Sequence, residues 1–314
     1  MTRPDFFIVG APKCGTTSLA HWLTEHPDLF VVRGEPHFFG SDIEYNRPRI
    51  DEPRYRRLWR NAGPDSRVGE RSTWYLYSET AADEIHRWNP AARIIALLRD
   101  PVDMIHSLHA HAVLRGGRED RALLADALAL EPARRAGDAI PVRARFPQSL
   151  FYRAVPRYAE QLERYLRRFG RDQVHVVLFE DLCKDPRRVY TDVLDFLGVD
   201  RVERSDFEVH NRRGSRPDDW LHRLWKRGTL RYTIRRLAPE PLYRWLRARG
   251  VQTRWRSSPR ARPVGLSTVQ KAALRREFAP EVRRLEALLG RRLPGWAASG
   301  ERSLATERDR AGVG

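Results

Sequence analysis

The hydrophobic positions of the chain form short continuous runs separated by longer stretches with helical spacing. Residues 6–9 (FFIV), 92–98 (ARIIALL) and 174–179 (VHVVLF) are almost uninterrupted apolar runs, which predicts strands buried on both faces. Stretches between them predict helices, including one from Thr16 and one that Pro101 opens. This alternation predicts an α/β fold: a P-loop-like, three-layer α/β/α arrangement with a central parallel sheet.

Three further helices are predicted in the second half of the chain. One begins at Tyr152 and stops at Gly170, and a second runs from Pro186 to Gly198. In the third, which closes at Gly290, apolar residues recur every three or four positions.

Composition divides the chain into four predicted parts. Residues 1–210 would form the α/β core, 264–296 a C-terminal helix packed back on it, and 297–314 a disordered tail. The part between them, 211–263, includes a stretch (216–262) with 14 basic residues, 3 acidic residues and four of the nine tryptophans. It is predicted to be a basic, tryptophan-rich helical insertion or lid.

The whole chain is strongly basic, with a formal net charge of +17. Such a charge favours an anionic partner: nucleic acid, a phosphorylated cofactor, an acidic glycan or an anionic membrane surface. Only four of the 58 basic residues are lysines, and a GC-rich genome also produces such arginine dominance without selection for charge. Cys14 and Cys183 are too far apart to suggest a metal site or a disulfide framework, which predicts a reducing, cytoplasmic compartment.

The stretch GAPKCGTTSL (10–19) follows the first predicted strand and opens the first predicted helix. Gly10 and Gly15 have the spacing of a nucleoside-triphosphate loop, but Thr16 stands where that loop has its lysine, and Lys13 lies in the bend. A glycine loop at a helix N-terminus presents backbone N–H groups and the positive end of the helix dipole to an anion. The stretch therefore predicts a phosphate site.

A triphosphate site would also need an acidic residue to hold Mg²⁺ at a strand end. Asp100 follows a predicted strand, but Arg99 precedes it and a helix-starting proline follows. A lysine without a metal suits sulfuryl transfer, because a sulfuryl group carries less charge than a phosphoryl group. Two alternatives stay open: a P-loop kinase or NTPase, which the displaced lysine disfavours, and a nucleic-acid-binding protein, which is disfavoured because charge alone supports it.

The chain resembles the sulfotransferases that use 3′-phosphoadenosine 5′-phosphosulfate (PAPS), particularly the bacterial and heparan-sulfate-type members. The resemblance covers most of residues 5–205 and about 265–296. The matching segments occur in the order of the family: PKCGTTSL (12–19), RGEPHFF (33–39), GERSTWYL (69–76), IIALLRDPVDMIHS (94–107), the helix–strand–E-D-L unit at 158–186 and LLGRRLPGW (288–296).

The resemblance implies how PAPS would be held, without a metal. Lys13 would stabilise charge on the departing phosphate oxygen, and Arg71 stands where the family has a lysine near the sulfate. Arg99 and Ser107 match the pair that holds the 3′-phosphate. Arg212 or Arg213 would reach that phosphate from a covering loop, unless they form a solvated basic turn. The loop residues implied to cradle the 5′-phosphate are Lys13, Cys14, Gly15, Thr16, Thr17 and Ser18.

The resemblance also implies a catalytic base. Glu35 matches the general base that takes the proton of an acceptor hydroxyl or, less favoured, an amine. His37 is close enough in sequence to assist or to be the base itself. Gly34 and Thr73 replace the lysine and proline usual in the family, which leaves the acceptor side less defined.

The acceptor itself is left open by the sequence. A saccharide, a glycolipid or a small natural product would fit, and a carbohydrate is favoured because RGEPHFF resembles the glycan-acting branch. Residues 216–262 would bind that acceptor as a lid, touch an anionic membrane surface, or pack as a small helical subdomain.

Overall fold

The computed structural model describes residues 3–45, 48–115, 118–204, 206–207 and 263–296. The predicted basic segment, apart from its last residue, and the predicted tail at 297–314 therefore lie outside the described residues.

Five parallel strands form the centre of the described fold. Their order across the sheet is β2-β3-β1-β4-β5, and every neighbouring pair is parallel. The central strands β1 and β4 are almost completely buried, as their continuous apolar runs predicted. The predicted α/β fold with a central parallel sheet is confirmed. The strands are β1 (Phe6–Gly10), β2 (Leu29–Val31), β3 (Arg67–Arg71), β4 (Arg93–Leu98) and β5 (Val174–Leu178).

Helices cover the sheet, and several begin where the sequence provides a cap. Pro101 and Pro186 occupy first turns, preceded by Asp100 and Asp185, whose carboxylates accept backbone N–H groups of the first turn. None of the described helices is long and apolar enough to cross a membrane. The helices are α1 (Thr16–Thr24), α2 (Glu52–Arg56), α3 (Ala81–Trp88), α4 (Pro101–Leu114), α5 (Leu124–Ala129), α6 (Glu131–Arg135), α7 (Tyr158–Phe169), α8 (Phe179–Lys184), α9 (Pro186–Leu197) and α10 (Thr268–Leu289).

Two predicted boundaries were wrong. Helix α7 begins at Tyr158 rather than Tyr152, because Pro156 lacks a backbone N–H and disfavours a helical conformation in the residue before it. Strand β5 ends before Phe179, which instead starts α8. The acidic residues Glu180 and Asp181 in the first turn of α8 favour a helix N-terminus there.

Helix α10 packs against α7 and α4. Its apolar stripe, which includes Phe278 and Val282, is buried. The carboxylate of Glu281 accepts the backbone N–H of Ala159 at 2.7 Å, and Arg284 pairs with Glu163. These contacts join α10 to α7.

Candidate active site

The residues that the sequence singled out follow the carboxyl ends of neighbouring strands. The loop at 11–15 follows β1, Glu35 and His37 follow β2, Arg71 ends β3, and Arg99 follows β4. Because the strands are parallel, these ends meet at one edge of the sheet, where ligands bind in open α/β folds.

The loop between β1 and α1 has the backbone of an anion site. Gly15 caps α1 with a φ of 90°, a conformation that strongly favours glycine, and a Cβ there would lie 2.5 Å from Leu182 Cδ2. The N–H groups in the first turn of a helix point toward its N-terminal end, where they can bind an anion, and the Ser18 N–H also donates to the Gly15 carbonyl at 3.0 Å. Thr16 and Ser18 are buried in this first turn.

Cys14 takes part in the loop through its backbone rather than its thiol. The thiol is fully buried, donates to the Pro12 carbonyl at 3.4 Å and lies 3.9 Å from the Tyr158 hydroxyl. Burial raises the pKa of Cys14 to about 12. The side chain is therefore a neutral packing group that anchors the loop to α7.

Arg99 lies beside this loop. Its guanidinium is 3.5 Å from the carbonyl oxygen of Lys13, stacks 4.5 Å from the Phe179 ring centroid, and lies 4.0 Å from the Asp103 carboxylate. Ser107 lies four residues after Asp103 on α4, and residues four apart share a helix face. Arg99 and Ser107 thus belong to one surface next to the loop.

The Lys13 ammonium lies 3.4 Å from Nδ1 of His111, one further turn along the same face of α4. Burial, and then the charge of Lys13, lower the pKa of His111 to about 3. The imidazole is therefore neutral and can accept a hydrogen bond from the ammonium. Sequence analysis missed His111, although its place four residues after Ser107 was a usable signal.

Glu35 lies at the centre of a dense polar cluster. Its Oε1 accepts from Arg71 at 2.7 Å and from Thr73 at 3.3 Å, and its Oε2 is 2.9 Å from Nε2 of His37. Burial raises the pKa of Glu35, but the His37 contact and the charges of Arg71 and Arg145 outweigh it and hold that pKa well below its usual range. Glu35 is ionised, as a general base requires.

Arg71 connects the two sides of the site. One nitrogen of its guanidinium donates to Glu35 and also lies 3.4 Å from the Thr17 hydroxyl in the first turn of α1. The predicted base and the predicted phosphate loop therefore share one cation.

His37 is almost completely buried, at 1% exposure, and has a φ of 52°, which is uncommon for a residue with a side chain. Its backbone N–H donates to the Ser72 hydroxyl at 3.0 Å, and that hydroxyl donates to the buried carboxylate of Glu70 at 2.7 Å. The Tyr75 hydroxyl accepts the N–H groups of the next two residues and also interacts with Glu70. Glu70 thus braces the strained loop that carries both candidate bases.

Sequence analysis missed two further residues of this cluster. Tyr45 Oη lies 2.9 Å from Nδ1 of His37. A nitrogen of Arg145 lies 3.2 Å from Glu35 Oε2 and 2.6 Å from His37 Nε2. Arg145 comes from the irregular stretch before α7, where no periodicity marked it. The segment that contains Arg212 and Arg213 lies outside the described residues.

In the part of the chain that the structure describes, no group of three or more histidine, cysteine, aspartate or glutamate residues could hold a metal ion. The donors around the β1–α1 loop are an ammonium, a guanidinium, hydroxyls and first-turn N–H groups. This set fits an anion with several oxygens.

Comparison with known proteins agrees with this geometry. The family model described as "Sulfotransferase domain" matches residues 84–213. A crystal structure of a sulfotransferase from Alicyclobacillus acidocaldarius is similar with a TM-score of 0.69 and 30% identity, covering 94% of this chain and 99% of that one. The chain therefore belongs to the sulfotransferase family, as the sequence predicted.

Curated relatives include enzymes named for heparan sulfate. Heparan sulfate glucosamine 3-O-sulfotransferase 6 of Mus musculus is 30% identical over 200 residues, which are 63% of this chain and 53% of that protein. Bifunctional heparan sulfate N-deacetylase/N-sulfotransferase 3 of Homo sapiens is 30% identical over 202 residues, 62% of this chain and 22% of that protein. The chain spans about half the length of the first of these relatives and less of the second.

Proposed function

We propose that the protein transfers a sulfuryl group from PAPS to an acceptor hydroxyl on a carbohydrate or glycoconjugate. The observation that carries this proposal is the Arg71 bridge, which joins Glu35 to Thr17 of the anion loop. Because Arg71 contacts both Glu35 and the anion loop, an acceptor next to Glu35 and a donor in the loop would lie close enough for in-line transfer.

In the proposed reaction, Glu35 takes the proton of the acceptor hydroxyl while the oxygen of that hydroxyl attacks sulfur. The donor supplies the sulfuryl group, whose bond to the 5′-phosphate oxygen breaks as its bond to the acceptor oxygen forms. Lys13 and the first turn of α1 would stabilise the charge that the phosphate oxygen gains. Arg99 and Ser107 would hold the 3′-phosphate.

The carbohydrate acceptor is supported by the heparan sulfate enzymes among the relatives. We also propose a cytoplasmic location, because both cysteines are free thiols. Contact of residues 216–262 with an anionic membrane stays a prediction that liposome flotation can test.

Ligand-induced stabilisation tests the donor assignment. Adenosine 3′,5′-bisphosphate at about 100 times its Kd should raise the Tm by about 4 °C, whereas DNA and ATP with Mg²⁺ should not. Absence of any shift with the bisphosphate would contradict the proposal. An acceptor screen with radiolabelled PAPS would then identify the substrate.

A further inference from the structure

Arg49 lies inside the loop that begins at His37. Its guanidinium donates to four backbone carbonyls of this loop, and three of the four N···O distances lie between 2.8 and 3.2 Å. The two terminal nitrogens of a guanidinium carry four N–H groups, so donors and carbonyls match one to one. The carbonyls belong to Phe38, Phe39, Gly40 and Ile43.

The N–H groups of the same loop are held from other directions. Beginning at His37, the Ser72 hydroxyl accepts the first N–H, and the Tyr75 hydroxyl accepts the next two. The Glu84 carboxylate on α3 accepts the two after those, at 2.7 and 3.1 Å. The N–H side of the loop is therefore fixed by side chains from β3 to α3, and Arg49 supplies the donors on the carbonyl side.

This loop carries one candidate base and contacts the other. His37 lies 2.9 Å from Glu35 and has a φ of 52°, a conformation that persists only where surrounding contacts determine the backbone. The Tyr45 hydroxyl lies 2.9 Å from Nδ1 of His37, and the Tyr45 ring centroid is 5.7 Å from the guanidinium carbon of Arg49. Loss of Arg49 would release the carbonyls that follow His37, and with them the direction of its imidazole.

The fit of Arg49 depends on the shape of its guanidinium as well as on its charge. A lysine ammonium has three N–H groups on a single nitrogen, so it cannot reach four separate carbonyls at once. Arg71 and Arg145 already supply the charges that hold the pKa of Glu35 low. The contribution of Arg49 is then the position of the loop.

We propose that the four carbonyls form a guanidinium site, that Arg49 occupies it, and that its occupancy positions His37 and Glu35 for the reaction. The catalytic part of this inference rests on the proposed function, whereas the guanidinium site does not. Arg49 is a positioning residue, because it acts through the backbone of the loop.

Thermal unfolding of Arg49→Ala tests the site without any turnover. Methylguanidinium at low millimolar concentration should raise the Tm of this variant, because the ion can replace the missing donors. It should leave the Tm of the wild type and of Arg54→Ala unchanged. Arg54 is the matched control, since it is an exposed arginine on α2 that pairs with Asp51. If methylguanidinium did not stabilise Arg49→Ala, the inference would be overturned.

Nitrogen-15 NMR of labelled histidines tests the connection to the candidate bases. His37→Gln identifies the imidazole signals of His37. Arg49→Ala should shift these signals, methylguanidinium should return them toward the wild-type positions, and Arg54→Ala should leave them unchanged. Wild-type His37 signals in Arg49→Ala would show that Arg49 does not position the imidazole.

Turnover of radiolabelled PAPS, with the acceptor that the screen identifies, tests the catalytic part. In Arg49→Ala, kcat should fall by about 10- to 100-fold, the scale for a misplaced catalytic group, and methylguanidinium should restore most of it. Arg49→Lys keeps the charge but should lose kcat as well, and wild-type kcat in that variant would overturn the positioning role. The Kd of adenosine 3′,5′-bisphosphate should be unchanged in both variants. A failed bisphosphate shift in the wild type would instead contradict the proposed function and leave the Tm and NMR results interpretable.

Discussion

The donor and acceptor sides of the site are built in different ways. The loop proposed to hold the 5′-phosphate of the donor is a continuous stretch, 11–18, whose binding groups are mostly backbone N–H groups and the first turn of α1. The acceptor side brings together side chains from separate segments, with Glu35, Arg71 and Arg145 spaced far apart in sequence. Anion binding is thus a local property of the chain, whereas control of the base depends on tertiary packing.

The two sides also differ in how their charges are balanced. The Lys13 ammonium lies against a neutral imidazole, His111. The Glu35 carboxylate lies against two guanidinium groups. The proposed donor side therefore suits an incoming anion, while on the proposed acceptor side the cations around Glu35 keep the pKa of its carboxylate below the usual range.

Removing the base should have the largest effect. Glu35→Gln keeps the shape of the side chain but cannot take a proton, so turnover with radiolabelled PAPS should fall by about 10²- to 10⁴-fold. Binding of adenosine 3′,5′-bisphosphate, measured by calorimetry, should change little, because the contacts given above connect Glu35 to the phosphate loop only through Arg71. Turnover close to that of the wild type would move the role of base to His37.

Lys13→Ala should act on the donor side instead. Loss of the ammonium should lower kcat by about 10²- to 10³-fold, the range for removing one donor to a developing charge. Unlike Glu35→Gln, it should also weaken bisphosphate binding. Lys184→Ala, which removes an exposed lysine on α8, is the control. If both lysine variants retained wild-type kcat, the loop would not stabilise the leaving group.

Ser72→Ala should have a smaller effect, because it removes the hydroxyl that links the His37 backbone to Glu70. It leaves the buried N–H of His37 without its acceptor, at a cost of about 1 to 3 kcal/mol. We expect kcat to fall roughly tenfold with little change in KM for PAPS. Ser66→Ala, in the turn before β3, is the control. A change confined to KM for PAPS would show that Ser72 supports binding of PAPS rather than the position of Glu35 and His37.

The smallest expected effect is a difference in the labelling rates of the two cysteine thiols, Cys14 and Cys183. A maleimide should label the exposed Cys183 rapidly in native protein, while the buried Cys14, with its pKa raised to about 12, should react only when its loop opens. In Cys183→Ser protein, slow labelling should then report opening of the donor loop, and the bisphosphate should slow it further. Rapid labelling of Cys14 would show that the loop opens readily without ligand.

Sequence analysis singled out more of the residues around the loop at 11–18 than of those around Glu35. Lys13 and Gly15 belong to a compact motif between a strand and a helix, so spacing alone indicated their neighbourhood. Glu35 and His37 were singled out by resemblance. Arg145 and Tyr45 were missed because each reaches the cluster through a packed loop, and no periodicity in their own segments indicates which way they face.

The sequence by itself determined the parallel α/β core and the anion loop, because apolar runs, prolines and glycines act on their immediate neighbours. The tertiary structure decided that Arg71 joins Glu35 to the loop, that Ser72 links the His37 backbone to Glu70, and that Arg145 contacts both candidate bases. These contacts connect residues as far as 110 positions apart, as Glu35 and Arg145 are. The order of the strands and the packing of the loops at the carboxyl edge of the sheet decide which distant side chains meet.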